Sequence, residues 1–170
     1  RFMEFQSEAL KLTKEKLSHD KSLIGFVGGP WTVLSFGMGT NKLGSNSINL
    51  TKEKNFMLEE FIIPFLQKNI SMQIEAGAET VMIFDSSAHQ LVHNDFSTYL
   101  EKVIENMIKP FKQKVGYYAK EEVDYNCIIS HTNNNENFFA GIGIDSQTSL
   151  QETLKKVDHG FVQGNFDELK

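Results

Sequence analysis

Apolar positions along this chain follow two rhythms that alternate. Short unbroken apolar runs occur at residues 23–27, 80–84, 126–130, 141–145 and 160–164. Each has the length of a strand and ends in glycine or small polar residues. Between them the apolar positions fall three and four apart, which predicts amphipathic helices. The first covers 2–17, carried by Phe2, Phe5, Ala9, Leu10, Leu12 and Leu17. The second covers 51–76, with Thr51 as N-cap, an apolar face of Ile62, Phe65, Leu66, Ile70 and Ile74, and Gly77 as the residue past its end. Pro64 should kink it or divide it in two. A third covers 94–113, with Phe96, Leu100, Val103, Ile104 and Met107 on one side, and a short fourth covers 148–157. Residues 37–49, rich in Gly, Asn and Ser, read as an irregular loop. The polar run 133–137 reads as a loop or a helix start.

Strands that alternate with helices, and are apolar without internal alternation, predict an α/β fold. Its sheet should have five parallel strands, covered on both faces. Polar or glycine residues gather just past the strands: Gly28-Gly29-Pro30, Asp85-Ser86, Ser130-His131-Thr132, Asp145-Ser146 and Gln163-Gly164-Asn165. Ligands of parallel α/β proteins sit at the carboxyl ends of strands, so these five ends point to one shared site. The pattern fits either a doubly wound sheet or part of a barrel.

Length and composition narrow the class. With 170 residues, 40% apolar and 23% charged, one globular domain is expected. No apolar run reaches the roughly 18 residues of a membrane helix, and the first twenty residues lack a cleavable signal pattern. Net charge is -5, which argues against a nucleic-acid binder. A single cysteine, Cys127, suits a reducing cytosol. There are 16 lysines but one arginine, Arg1. Arginine clamps carboxylates bidentately and lysine supplies only a point charge. Any strongly anionic ligand must therefore be held by lysine, hydroxyls and backbone N–H groups, or by residues outside this chain. The chain starts and stops inside predicted structure, so both ends read as cut.

Candidate chemistry divides quickly. The glycines of 25–32 miss the G-x-G-x-x-G spacing of a dinucleotide loop and predict a shaped turn that exposes Trp31 or backbone N–H groups. His89 and His93 lie four apart, but Gln90 stands where a zinc helix needs Glu, so both read as surface residues. Cys127 and His131, read at a strand end, lack a third zinc ligand. Ser86-Ser87 lack the glycines of a nucleophile elbow, so acyl transfer is not indicated. Asp85 and Asp145, at two strand ends, are either an acid–base pair or caps of the turns that follow.

Four segments carry a resemblance. Leu23-Ile24-Gly25-Phe26-Val27-Gly28-Gly29-Pro30-Trp31-Thr32 resembles the L-I-G-F-x-G-x-P-W-T signature of the uroporphyrinogen decarboxylase family. Ala76-Gly77-Ala78 with Phe84-Asp85-Ser86 is similar to that family's A-G-A-x-x-x-x-x-F-[DE]-S segment. Gly143-Ile144-Asp145 resembles its G-L-D-W-T strand, and Gln163-Gly164-Asn165-Phe166-Asp167 its Q-G-N-L-D-P. All four stand in family order and span nearly the whole chain.

The resemblance implies a (β/α)₈ TIM barrel about twice this length, with residues 1–170 as a single incomplete domain from its middle. It implies a cytoplasmic carboxy-lyase of heme and tetrapyrrole biosynthesis. Such an enzyme removes CO₂ from the four acetate side chains of uroporphyrinogen, giving coproporphyrinogen, without metal or organic cofactor. The family's catalytic Asp, late His and arginine-rich loop fall outside this chain, so the segment alone is expected to be inactive. Ser86 falls on a substrate-contacting Ser/Thr of the family. Phe36 falls on a substrate-contacting Tyr and lacks its hydroxyl. Ser146-Gln147 replaces the family's W-T. The implied partner is the porphyrinogen, with neither nucleic acid nor membrane, and a homodimer is possible in the full-length form.

Two other readings stand beside it. Zinc methyltransferases of the same superfamily use an H-x-C, but here Thr132 and Asn133 follow His131. A non-catalytic half-barrel is the other; it would expose sheet edges and apolar surface, so aggregation or dimer formation is expected of it.

Overall fold

The structure is a computed structural model, and it describes residues 4–44, 47–120, 123–133 and 138–166. Five strands form one parallel sheet in the order β1-β2-β3-β4-β5. They are β1 (Ile24–Gly28), β2 (Thr80–Asp85), β3 (Val115–Ala119), β4 (Gly141–Ile144) and β5 (Phe161–Gly164). The helices are α1 (Glu4–Lys16), α2 (Pro30–Gly37), α3 (Lys52–Met57), α4 (Ile63–Glu75), α5 (His93–Val103), α6 (Tyr125–Asn133) and α7 (Leu150–Lys156).

Strands in sequential order, joined by right-handed crossovers, put all their helices on one side. That is part of a (β/α)₈ barrel, and it corrects the expectation of a sheet covered on both faces. Along the helical face, Val27, Ile83, Tyr117 and Ile142 lie side by side and are buried. On the other face one row runs Phe26, Met82, Gly116, Gly141, Phe161, and the next runs Gly28, Phe84, Tyr118, Gly143, Gln163. Glycines stand beside the large residues in these rows because the concave surface is crowded: a Cβ on Gly116 would lie 2.3 Å from the Met82 sulfur. Even so, Phe26 is 66% exposed.

The third strand is a second correction. The expected strand at 126–130 is helix α6, and the strand lies earlier, at Val115–Ala119. Tyr125, Ile128, Ile129 and Thr132 are spaced as one helical face, and the last three are buried. A short apolar run such as Cys127-Ile128-Ile129 cannot be told from a strand by periodicity alone.

The expectation at Pro64 resolves through a wide turn, and Pro110 repeats the arrangement. Helix α3 passes through a widened π-turn, Leu58–Ile62, into α4, whose first turn holds Pro64. Helix α5 likewise runs through a π-turn, Ile104–Ile108, to a short 3₁₀ turn holding Pro110. The extra residue in each wide turn accommodates a ring that cannot donate an N–H inside a helix. Thr51 caps α3 as expected, with its side chain accepting from the Lys54 N–H.

Of the loop expected at 37–49, Gly37 ends α2, and the described residues beyond it are irregular but tied down. Gln90 is fully buried, and its Nε2 donates to the Thr40 carbonyl at 2.8 Å and the Leu43 carbonyl at 3.0 Å. Its own backbone carbonyl accepts from the Ser47 and Ile48 N–H groups. In the polar run at 133–137, Asn133 ends α6, and 134–137 lie outside the described residues. No helix among the described residues is long and apolar enough to cross a membrane.

Candidate functional site

Two clefts open at the carboxyl ends of the strands. The first, of ≈ 230 Å³, lies over β3, β4 and β5. Phe84 and Tyr118 form its apolar wall, with ring centroids 5.7 Å apart and edge to face. Its polar lining comes from Lys120, Ser146, Gln147, Gln163 and Asn165. The second, of ≈ 350 Å³, lies between the end of α2, the Asn41–Leu43 stretch and the end of β2. Phe36, Lys42, Ser86, His89 and Lys120 line it.

Phe36 and Ser86, predicted from distant segments, therefore share the second cleft. Phe36 is 63% exposed and walls it from α2; Ser86 is half-buried on the opposite side. The His89 ring closes the turn that follows Ser86, with Nδ1 2.8 Å from the Ser86 carbonyl oxygen.

Asp85 and Asp145 do not form an acid–base pair. Asp85 is fully buried behind the cleft wall. Its Oδ1 accepts from the Thr32 N–H at 2.8 Å and the Thr32 hydroxyl at 2.9 Å. Its Oδ2 accepts from the Tyr117 hydroxyl at 3.0 Å and from the Tyr99 hydroxyl. Burial pushes its carboxyl above the usual range, against the pull of the Tyr99, Thr32 and Tyr117 donors. Burial, with the Asp85 charge, pushes the Tyr99 and Tyr117 hydroxyls well above theirs. Asp145 borders the first cleft and caps its own turn: Oδ1 accepts from the Thr148 hydroxyl at 2.8 Å and the Thr148 and Gln147 N–H groups at 3.1 and 3.2 Å.

The turn expected to expose Trp31 is a helix start instead. Pro30 begins α2, which suits a residue with no N–H to satisfy. Trp31 is fully buried, edge-on to Tyr99 at 6.1 Å, and its backbone N–H donates to the Tyr99 hydroxyl at 2.8 Å.

His89 and His93 belong to different elements, the short 3₁₀ turn Ala88–Gln90 and the start of α5. Cys127 and His131 sit one helical turn apart on α6, not at a strand end. Burial raises the Cys127 thiol and lowers the His131 imidazole. Among the described residues, no three His, Cys, Asp or Glu side chains come together as a metal site requires. Lys120 and Tyr118 escaped the sequence reading because the third strand was misplaced. The signal was there in Val115-Gly116-Tyr117-Tyr118-Ala119, an apolar run that ends in a charged residue.

Comparison with known proteins settles the kinship of this barrel segment. A family model described as uroporphyrinogen decarboxylase matches residues 1–170. The chain belongs to the uroporphyrinogen decarboxylase family. It is similar to the uroporphyrinogen decarboxylase of Orientia tsutsugamushi (strain Boryong), with 34% identity over 94% of this chain and 48% of that protein. The enzyme of Campylobacter lari matches at 32% identity, over 96% of this chain and 49% of its own length. The chain thus spans about half the length of the curated relatives it matches. Among solved structures, a methyltransferase from Methanosarcina mazei superposes with a TM-score of 0.62 at 20% identity, over 93% of this chain and 47% of that one. That likeness concerns the fold shared with this uroporphyrinogen decarboxylase family member.

Proposed function

We propose that this chain supplies the middle of a cytoplasmic uroporphyrinogen decarboxylase, which converts uroporphyrinogen to coproporphyrinogen by releasing CO₂ from four acetate arms. The observation that carries the reading is the family match along all of residues 1–170. The two clefts at the strand ends support it, since they combine aromatic walls with lysine, amide and hydroxyl groups.

The chemistry needs an electron sink. A pyrrole protonated at ring carbon is one: the C–CO₂ bond breaks and its electrons neutralise the ring cation as an exocyclic methylene; a proton then arrives at that carbon, making the methyl group, and the ring-carbon proton leaves to restore the pyrrole. The protein has to favour the cation and hold the acetate in place. In this reading the acidic partner of the cation lies outside this chain. Ser86 donates its hydroxyl to a substrate carboxylate, and Phe36 packs against a pyrrole face.

The test is a decarboxylation assay on the intact protein, with porphyrin products separated by carboxylate number. Stepwise appearance of seven-, six-, five- and four-carboxylate products is expected. No CO₂ release from uroporphyrinogen overturns the reading and leaves the non-catalytic half-barrel. One bound zinc per chain would instead favour methyl transfer. Phe36→Tyr returns a hydroxyl that can donate to a carboxylate, and should raise kcat/KM by about tenfold.

A further inference from the structure

We propose that Gln147 and Gln163, with Ser146, form a neutral subsite that takes one carboxylate arm of the ligand by hydrogen bonds, at the β4–β5 end of the first cleft. The inference rests on the proposed function and goes further, because it gives a binding role to the two positions where Ser146-Gln147 replaces the family's W-T.

One row of the sheet leads to this subsite. Phe84, Tyr118, Gly143 and Gln163 stand side by side on the concave face. The two aromatic rings form the wall, and Gly143 leaves a step beside it: a Cβ there would lie 2.9 Å from the Tyr118 Cβ. Two strand spacings, about 10 Å, separate Tyr118 from Gln163. A flat ligand resting on the wall therefore crosses Gly143 without meeting a side chain, and its edge reaches the Gln163 amide. Ser146 and Gln147 line the same cleft from the turn that follows β4.

These three side chains have donors to offer. Among the described residues, the Ser146 hydroxyl and the two glutamine amides make no hydrogen bond to the protein. The backbone beneath them is satisfied locally. Asp145 is buried, and its Oδ1 accepts from the Gln147 N–H, the Thr148 N–H and the Thr148 hydroxyl. Asn165 adopts a left-handed conformation, with φ 62°, and donates its Nδ2 to the Thr148 carbonyl at 3.1 Å and its N–H to the Ile144 carbonyl at 3.2 Å. The end of β5 is thereby tied to the turn after β4, which fixes the backbone under Gln163 relative to the backbone under Gln147.

A hydroxyl and an amide NH₂ both donate to a carboxylate, and donors on fixed backbone lose less freedom when it arrives. A neutral donor attracts an anion only at hydrogen-bond distance. The contact therefore selects for where the arm lies on the ligand, and it responds little to salt.

The experiment uses the intact protein and uroporphyrin, the aromatic octacarboxylate that cannot be decarboxylated through the porphyrinogen route. Its dissociation constant is read by fluorescence quenching at low and high salt. Gln163→Met and Gln147→Met keep the length of the side chain and remove its donors; each should weaken binding by about fivefold, by the same factor at both salts. Gln163→Glu keeps the shape and sets a charge against the arm; it should weaken binding by more than about tenfold at low salt and by less at high salt. Ser146→Ala should weaken it by about twofold. Unfolding midpoints of the glutamine variants should match the parent's, which separates a lost contact from a lost fold.

A Gln163→Glu protein that binds as tightly as the parent overturns the proposal, since no anion then lies beside residue 163. So do Gln163→Met and Gln147→Met proteins that both bind normally, and so does a parent that does not bind uroporphyrin. A parallel decarboxylation assay separates the two claims. A parent that binds uroporphyrin through these amides but releases no CO₂ retains the subsite and loses the proposed function. An active parent whose Gln163→Glu variant binds normally retains the function and loses the subsite.

Discussion

The carboxyl ends of β2 and β4 each present an aspartate, and the two ends do opposite work. At β2, Asp85 turns to the helical side and gathers Thr32, Tyr99 and Tyr117 around it. One carboxylate thereby ties the start of α2, the body of α5 and strand β3 to strand β2. At β4, Asp145 caps a local turn between Gln147 and Thr148 and leaves a cleft beside it. The difference lies in what packs beyond the strand. α2 starts two residues after β1 and seals the β1–β2 end, whereas β4 is followed by a turn before α7. A polar group at a strand end becomes a structural knot where a helix closes over it, and part of a binding surface where none does.

The largest expected effect comes from cutting the knot. Asp85→Ala leaves two buried tyrosine hydroxyls and the Thr32 N–H without their acceptor. Each unsatisfied buried group costs about 1–3 kcal/mol, so the intact protein should lose about 3–5 kcal/mol of unfolding free energy in urea titrations. A loss below about 1 kcal/mol would mean that these hydroxyls find other partners.

The same knot can be broken from its other side. Asp85 fits because residue 29 has no side chain: a Cβ there would lie 2.2 Å from the Asp85 Cγ and 2.4 Å from its Oδ1. Gly29→Ala should therefore destabilise by about 2 kcal/mol, as overpacked cores do. Because both substitutions act on one cluster, Gly29→Ala combined with Asp85→Ala should cost less than the sum. Additive losses would show that the two residues act separately.

At β4 the same replacement should be mild. Asp145→Ala removes a local turn cap, worth about 1 kcal/mol. Thermal unfolding measures that cost. Ligand affinity should respond more than stability, since Gln147 borders the cleft and is positioned by this cap.

The contrast also explains what the sequence could reveal. Four of the five strands were legible, because each is an apolar run bounded by turn residues. β3 was not, because two short apolar runs competed within residues 115–130 and length could not arbitrate between them. With β3 went Tyr118 and Lys120, and so half of the site. Phe36 and Ser86 were found through motifs, and the structure places them in one cleft. Asp85 was left between catalyst and cap because pattern cannot show which side of a strand end a helix will cover. Here that depended on Pro30 starting α2 immediately, where a turn was expected.

The smallest effect is also the sharpest test of the knot's charge. Burial holds the Asp85 carboxyl above its ordinary value, while Tyr99, Thr32 and Tyr117 pull it down. With burial the larger influence, ionisation is harder in the folded protein than in the unfolded one. The proton-linked contribution is then fully present below the unfolded value of about 4 and is lost as pH rises through the folded one. Asp85→Asn removes that titration. The stability advantage of the parent over Asp85→Asn should therefore narrow as pH rises from about 4 towards 8, as read from urea midpoints at matched salt. An advantage that widens over the same range would show that the hydroxyl and N–H donors outweigh burial, and that the knot holds a charged carboxylate in preference to a neutral one.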